Sequence, residues 1–329
     1  MLGDRDQYAV GVDIGGSVLK CGLVSGCGEI VWHQKLPTPK GYGAVVKLLR
    51  SLIRQAIAEE KPPNGRVVGI GIGVAGLVDR QSGVVVFSTH LGWQNVPLAQ
   101  DLAGDLQIPA SLEMDARCSA LGELHFGHGK SVKDFAFISL GTSIGCGLVL
   151  GGKVYRGGSG MSGNLTHCTV VPDGPPCTCG QRGCLETYAS SWALEQRCTQ
   201  YLRGQGQSSL ARIAERGFQA LSPIDIAEAA RAGDRFASMV VAEFIHYLSV
   251  SIANLVSLLD LRLIILGGGL LGIADDLPAE LETRVRERLL PPYRPSLRIR
   301  RTALGDLHGV LGAAVEAFTN EDPNHETHL

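Results

Sequence analysis

Short apolar runs alternate along this chain with longer stretches whose apolar residues recur at helical spacing. Tyr8–Val12 is apolar and ends at Asp13. Leu19–Val24 is apolar again, and a turn at Gly26–Gly28 precedes Ile30 and Val31, so the pattern predicts a β-hairpin that opens on a Gly-Gly bend. Residues 43–60 place Val45, Leu48, Leu49, Leu52, Ile53 and Ile57 on one helical face, and Lys61–Gly65 stops that helix. Strands are predicted at Val67–Val74 and Val84–Phe87, and a helix from near Leu98 to Leu106. Ser111–Glu123 reads as a strand end followed by a helix start. Val132–Leu150 reads as two strands joined by GTSIGCG, and Lys153–Asn164 as a glycine-rich surface passage. Helices follow at Glu186–Arg203, Pro223–Arg231 and Arg235–Leu259, the last almost uncharged and expected to be buried, in part in a subunit interface. Leu261–Leu266 is a strand, Leu277–Leu289 a helix, Leu297–Thr302 a basic edge strand and Gly309–Phe318 a closing helix. The tail 321–329 is expected to be disordered.

Composition narrows the class. The chain has 329 residues, 45% of them hydrophobic and only 5% aromatic, with 43 glycines and a net charge of −2. Two domains are the expectation at this length. The mixture suits an α/β protein with glycine-rich ligand loops and does not suit a base-stacking nucleic-acid binder. The opening MLGDRDQ is polar, and no uncharged apolar run reaches the roughly 18 residues a membrane helix needs. Nine cysteines, an odd count in clustered spacing, suit reduced thiols and one metal site. A cytoplasmic protein without membrane or nucleic-acid partners is expected.

Three glycine turns follow strands: Asp13–Ser17, 141–147 and Gly267–Gly269. In the first, Gly15 and Gly16 let the backbone approach a ligand, Ser17 and Lys20 offer a hydroxyl and a cation, and Asp13 could orient a divalent ion. An ordinary tight turn explains the same residues equally well. In the second, Thr142 and the glycines Gly141 and Gly145 offer a hydroxyl and backbone N–H groups. The spread of the three turns over the chain argues for two similar lobes that bind a nucleotide, not for one dinucleotide fold. Asp115 stands at the start of a helix, where it is either a cap or a general base; the helix dipole is expected to favour its ionised form.

The stretch HCTVVPDGPPCTCGQRGCLE carries one histidine and three cysteines. His167, Cys177, Cys179 and Cys184 make the donor set of a closed tetrahedral zinc site, linked by turn-forming GPP, CG and RG. Buried apolar cysteines are the alternative. Glu186 follows two residues after the last of them, in a segment that such a site would hold rigid.

Read together, DIGGSVLK, GVAGLVD, LEMDARCSALGE, SLGTSIGCG, H…CTCGQRGCLE, LGGGL and ALGDLHGVLGAA resemble, in this order, the ROK family of sugar kinases and repressors, from Val10 to Ala314. WQNVPL, HFGHGK and DGPPCTCGQRGCLETYAS are similar to its N-acetylmannosamine kinase branch, and glucokinases are close. The resemblance implies an actin-like ATPase fold of two RNase H-like lobes with an interlobe cleft, ATP with Mg²⁺, a structural Zn²⁺ and a homodimer. It implies lobes at 1–118 with about 302–320 and at 119–301, the second carrying the zinc loop. Asp13, Gly15, Gly16, Ser17 and Lys20 would form the first phosphate motif, Gly141, Thr142 and Gly145 the second, and Gly267, Gly268 and Gly269 the nucleotide-side loop. Asp115 would be the general base. Gly76, His167 and Glu186 would contact the sugar, with His167 also on zinc.

The chain departs from that pattern where a sugar would be read. Met114 and Arg117 stand where the family has asparagines, Asn164 where it has glutamate, Thr166 where it has glycine, and His90 where it often has asparagine. Ser143 and Cys146 replace glycines of the second phosphate loop. Two readings follow: an ATP-dependent kinase for a hexose, amino sugar or N-acetylhexosamine, acting on the 6-hydroxyl, or a sugar- or nucleotide-binding regulator without turnover. A repressor of the family is not expected, because no winged helix-turn-helix pattern precedes Asp13.

Overall fold

The structure is a computed structural model that describes residues 3, 6–215, 217 and 221–319; the tail at 321–329 lies outside the described residues. Two compact units form. One takes the chain up to Lys133, Gly147–Ser162 and the chain from Thr302; the other takes Asp134–Cys146 and Gly163–Arg301.

In chain order the first unit opens with β1 (Gln7–Ile14), β2 (Val18–Ser25) and β3 (Ile30–Pro37), then α1 (Tyr42–Gln55), which continues as a π-helical turn over Ala56–Glu60. β4 (Arg66–Val74) follows, then three short strands, β5 (Leu77–Asp79), β6 (Val84–Ser88) and β7 (Trp93–Val96), then α2 (Leu98–Leu106), β8 (Ala110–Met114) and α3 (Asp115–Phe126). The main sheet has the order β3-β2-β1-β4-β8, antiparallel across β1–β3 and parallel across β1, β4 and β8. β5, β6 and β7 pair separately.

The second sheet repeats that order with new strands: β9 (Phe135–Leu140), β10 (Ile144–Leu150), β11 (Lys153–Tyr155), β12 (Leu263–Gly267) and β13 (Arg298–Arg301) run β11-β10-β9-β12-β13. β13 is an edge, as expected of its basic sequence. The division between the units falls inside β10, between Cys146 and Gly147. The glycine-rich passage at 153–164 opens on a strand, β11, that the sequence pattern did not show, because only four residues separate its flanking glycine pairs. Between β11 and β12 come α4 (Glu186–Ala189), α5 (Ser191–Arg203), α6 (Ala211–Ala214), α7 (Pro223–Arg231) and α8 (Arg235–Leu259), and between β12 and β13 comes α9 (Leu277–Arg288). The helix expected at Glu186–Arg203 is thus two helices, divided at Ser190, whose hydroxyl caps α5 by accepting from Ala193 N–H. Length and composition alone would let α8 cross a membrane, but 56% of its most apolar window is buried, as in a core helix. It is not buried all round: Met239, Leu258 and His246 are exposed, and His246 Nδ1 lies 3.2 Å from Arg288 Nη2.

The chain then returns to the first unit with α10 (His308–Thr319). One face of the first sheet packs Val12, Ile14, Leu19, Ile70, Ile72 and Leu112 against Leu49, Ile53 and Leu102 of α1 and α2. The other face packs Ala9, Val24 and Val68 against Val310, Ala314 and Ala317 of α10. Two strand glycines make that second contact possible. A Cβ on Gly11 would lie 2.0 Å from Val310 O, and one on Gly71 would lie 1.7 Å from Ala313 O, so α10 rests on bare backbone. α3, expected to be divided after residue 118, belongs whole to the first unit, because it lies against α10: a Cβ on Gly312 would meet Cys118 O at 1.4 Å.

Candidate functional site

Asp13 is the next-to-last residue of β1, paired with Lys20 across the hairpin and with Gly73 of β4. Its carboxylate lies on the first turn of α10, close enough that a Cβ on Gly309 would meet Asp13 Cγ at 2.6 Å. A helix N-terminus stabilises a negative charge there. Lys20, expected as a cation for phosphate, is buried and already engaged: its Nζ donates to Asp306 O at 2.8 Å and pairs with Asp306 Oδ1 at 3.0 Å and Asp13 Oδ2 at 3.5 Å. Lys35 binds the same aspartate at 2.7 Å. The following turn is closed by Gly15 N–H to Val18 O and held by Thr38 Oγ1 to Gly15 O. Ser17 is exposed at its tip. Gly16 admits no side chain because His90 lies against it, with its Cβ 2.9 Å from a Cβ built on Gly16. His90 is itself exposed, and Gly76, half-buried, backs onto Phe87 and Ser88.

Asp115 is the first residue of α3. It is not the cap: that position belongs to Met114, which makes no side-chain cap bond. Asp115 Oδ1 accepts from Ala116 N–H at 2.8 Å. Against the dipole expectation, its carboxyl is pushed up to about 7, first by burial and second by the Asp13 carboxylate; the Ala116 N–H and His90 oppose this more weakly. Behind it, Ser119 Oγ donates to Asp115 O, and His308 Nδ1 lies 2.9 Å from the same hydroxyl. One hydroxyl proton cannot serve both, so His308 donates from Nδ1. Burial holds the His308 imidazole below its ordinary range.

Arg117, which the sequence placed among the altered sugar contacts, turns inward and is 1% exposed. Its Nη1 meets Glu113 Oε1 at 3.2 Å, and its Nη2 donates to Gly160 O at 2.9 Å and Ser162 O at 2.8 Å. Glu113 also receives Arg156 Nε at 2.8 Å and Arg80 Nε at 3.5 Å, and both arginines reach Glu316. Three arginines and two glutamates thus form one network under the strand that presents Asp115, with Arg117, Glu113 and Glu316 buried and Arg80 and Arg156 half-buried. Nothing in the sequence pattern revealed it, since its members span Arg80 to Glu316. Met114 is left as the half-buried apolar neighbour of Asp115.

In the second unit the turn after β9 is closed by Gly141 N–H to Ser143 O and tied to α5 by Ser191 N–H to Gly141 O. Thr142 is exposed at its tip, and Gly145 lies in β10. After β12, Gly267 ends the strand, Gly268 takes φ 98° and Gly269 opens a 3-10 turn. Only glycine fits at 268: the φ is left-handed, and a Cβ would lie 2.2 Å from Leu140 O. Beyond this turn a groove of about 650 Å³ is lined by Ala227, Arg231, Ile245, Ile273 and Asp275.

Glu186, 3% exposed, opens α4. Ser143 Oγ donates to its Oε1 at 2.7 Å, Thr178 Oγ1 donates to its Oε2 at 3.2 Å, and His167 Nδ1 is 3.9 Å away. Asn164 is exposed and precedes the 3-10 turn Leu165–His167. The four proposed metal donors come together: one ligand atom from each of His167, Cys177, Cys179 and Cys184 lies within 4.8 Å of every other. Cys177 Sγ is 3.6 Å from His167 Nδ1, and Cys179 Sγ is 3.6 Å from Cys184 Sγ. Zn–S distances of about 2.3 Å in a tetrahedron place sulfurs a little under 4 Å apart, so the donor set and its spacing fit zinc. Backbone bonds from Cys177 N–H to Gln181 O and from Leu185 N–H to Cys168 O hold the loop.

The ROK family model matches residues 9–319. The glucokinase of Halalkalibacterium halodurans is 32% identical over 93% of this chain and 94% of its own length. The crystal structure of a ROK family glucokinase from Streptomyces griseus in complex with glucose and AMPPNP superposes with a TM-score of 0.79 at 31% identity, covering 93% of this chain and 98% of that one. A xylose repressor of Caldicellulosiruptor bescii is 28% identical over 92% of this chain and 76% of its own length.

Proposed function

The chain belongs to the ROK family and has its two-lobe, RNase H-like α/β fold, and from that premise we propose that its ATP-dependent phosphorylation of a sugar runs through Asp115 as general base. The observation that carries this is the carboxyl fixed at the first turn of α3 with its pKa pushed up to about 7. A base acts best with a pKa near the working pH. Asp115 accepts the proton of the acceptor hydroxyl as that oxygen moves onto the γ-phosphorus; the bridging oxygen leaves with ADP.

Phosphoryl transfer asks for placement and charge neutralisation more than for covalent help. In this reading the Gly15–Ser17 and Gly141–Gly145 turns offer N–H groups and the Ser17 and Thr142 hydroxyls to phosphate oxygens. Gly268 brings bare backbone to the nucleotide, and the groove past Ile273 takes the adenine. Asp13 fits Mg²⁺, because Lys20 gives it one long contact and is otherwise committed to Asp306; bound there with ATP, the ion would neutralise phosphate charge. His167, Cys177, Cys179 and Cys184 hold structural zinc, which fixes the loop that carries Glu186.

Gly76, His90, Asn164, His167 and Glu186 take the sugar in this reading. Met114 offers no hydrogen bond to a hydroxyl, so the acceptor preferred is one that is substituted, epimerised or deoxygenated at the position facing it, such as an amino or N-acetylated hexose. None of the nine cysteines is in a disulfide, which suits a reducing cytoplasm, and the exposed Met239 and Leu258 on α8 favour a homodimer. Coupled ADP release over neutral, amino and N-acetylated sugars tests the reading. Turnover that depends on both acceptor and Asp115 is expected; turnover undiminished in Asp115→Asn would overturn the assignment of the base.

A further inference from the structure

Ser143 does something that neither the phosphate turn nor the metal loop requires. Its hydroxyl proton goes to Glu186 Oε1 at 2.7 Å, because a carboxylate only accepts. Thr166 Oγ1 lies 3.2 Å from Ser143 Oγ and must therefore be the donor of that pair. The result is a directed relay, Thr166 to Ser143 to Glu186, through side chains that are buried or half-buried. It joins three segments of the second unit: the 141–145 turn, the 3-10 turn that carries His167, and the start of α4. Hydrogen bonds in such a chain polarise and strengthen one another. Ser143 is also fixed by its backbone, since Ser143 O closes the turn by accepting from Gly141 N–H at 3.0 Å. A displacement of the turn is thus transmitted to the carboxylate.

We propose that Ser143 is a positioning residue that couples nucleotide binding at the 141–145 turn to the placement of Glu186, through the hydrogen bond it donates. This rests on the reading of that turn as a phosphate loop and of Glu186 as an acceptor contact. When a nucleotide orders the turn, the Ser143 hydroxyl holds Glu186 Oε1 in one orientation, and the acceptor meets a preset carboxylate. Linkage is reciprocal, so acceptor binding tightens nucleotide binding by the same factor. Coupling of this kind commonly amounts to roughly 5- to 150-fold in affinity. Thr166 strengthens the link by donating to Ser143, and Ser143→Thr keeps the hydroxyl.

The test compares the full-length protein with Ser143→Ala, Ser143→Thr and Asp115→Asn. Hydrogen exchange is followed with and without AMPPNP and magnesium. In the unaltered protein and in Ser143→Thr, AMPPNP is expected to protect amides of the 141–145 turn and of residues 185–189 together. In Ser143→Ala, protection at 141–145 remains and protection at 185–189 is lost. Steady-state kinetics on the best acceptor of the panel give a second readout: Ser143→Ala raises the acceptor KM by about tenfold, the scale of one hydrogen bond to a charged group, changes kcat by less than about threefold, and is rescued by Ser143→Thr. Protection that reaches 185–189 undiminished in Ser143→Ala overturns the coupling alone. No protection at 141–145 in the unaltered protein overturns both the phosphate-loop reading and the coupling. Asp115→Asn that abolishes turnover while keeping the linked protection leaves both intact and separates them from the chemistry.

Discussion

Two hairpin turns hold the same place in two sheets of the same strand order, yet their side chains are secured by different physics. The turn after β1 is ionic. Asp13, Lys20, Lys35 and Asp306 form a run of charges, and the Asp13 charge reaches Asp115. The turn after β9 is neutral. It is secured by backbone bonds and by the Ser143 hydroxyl, and the charge it touches, Glu186, is held by hydroxyl donors. A repeated topology therefore fixes where these turns occur and leaves their electrostatics open. The first turn should answer to pH and salt, and the second to the removal of single hydroxyls.

The strongest way to break this comparison is at Asp115. Asp115→Asn is expected to lower kcat/KM by at least about 10²-fold, the usual scale for a positioned base, as read by ADP release. The same change should stabilise the fold. A carboxyl raised from 3.8 to about 7 keeps its proton in the folded chain across that interval while the unfolded chain releases it. Stability is therefore highest below the unfolded value and falls as pH rises through the window. Asp115→Asn should raise the unfolding midpoint at pH 8 and leave it nearly unchanged at pH 4; an equal effect at both would contradict the pKa.

Next in size is the metal. Cys179→Ser should remove one equivalent of bound zinc, read by elemental analysis, and lower Tm well beyond the effect of Cys198→Ser, a buried thiol outside the cluster. Equal zinc in both variants would end the assignment. Arg117→Ala probes the arginine–glutamate network beneath Asp115. Removing one member of a buried pair costs about 3–5 kcal/mol, and Arg117 also holds Gly160 and Ser162; urea unfolding reads it. The smallest expected effect sharpens the contrast between the turns. kcat/KM should rise with pH through an apparent pKa of about 7. In Asp13→Asn, the NMR titration of Asp115 without ligands should move to lower pH, because one like charge is gone. Ser143→Ala should leave that titration where it is.

Much of this was legible in the residues. Helical spacing revealed the long helices because each buries one face, continuous apolar runs revealed the central strands because the first sheet is covered on both faces, and the cysteine spacing revealed the His–Cys cluster because a short chain carries all four donors. What escaped is what distance along the chain conceals. Lys20 looked like a free cation until Asp306, nearly three hundred residues on, folded onto it. Asp115 looked ionised by its helix until burial and Asp13 outweighed the dipole. Arg117 looked like an altered sugar contact, although its partners Gly160 and Ser162 come from a stretch read as surface loop. Asp306 and His308 lie within ALGDLHGVLGAA, a segment noted for its resemblance without any role for its polar residues; an Asp and a His flanking a helix start were the signal available.

The chain passes between its units after residues 133, 146, 162 and 301, and α10, which covers one face of the first sheet, is the last described helix to be made. During synthesis the strands β1, β2 and β4 therefore wait until His308–Thr319 has been made before that face is covered. A nascent chain halted before Gly309 exposes Ala9, Val24 and Val68 along bare glycine backbone, an adhesive surface suited to chaperones. Closure of this kind ties the completion of the first unit to a helix made more than two hundred residues after the strands it covers.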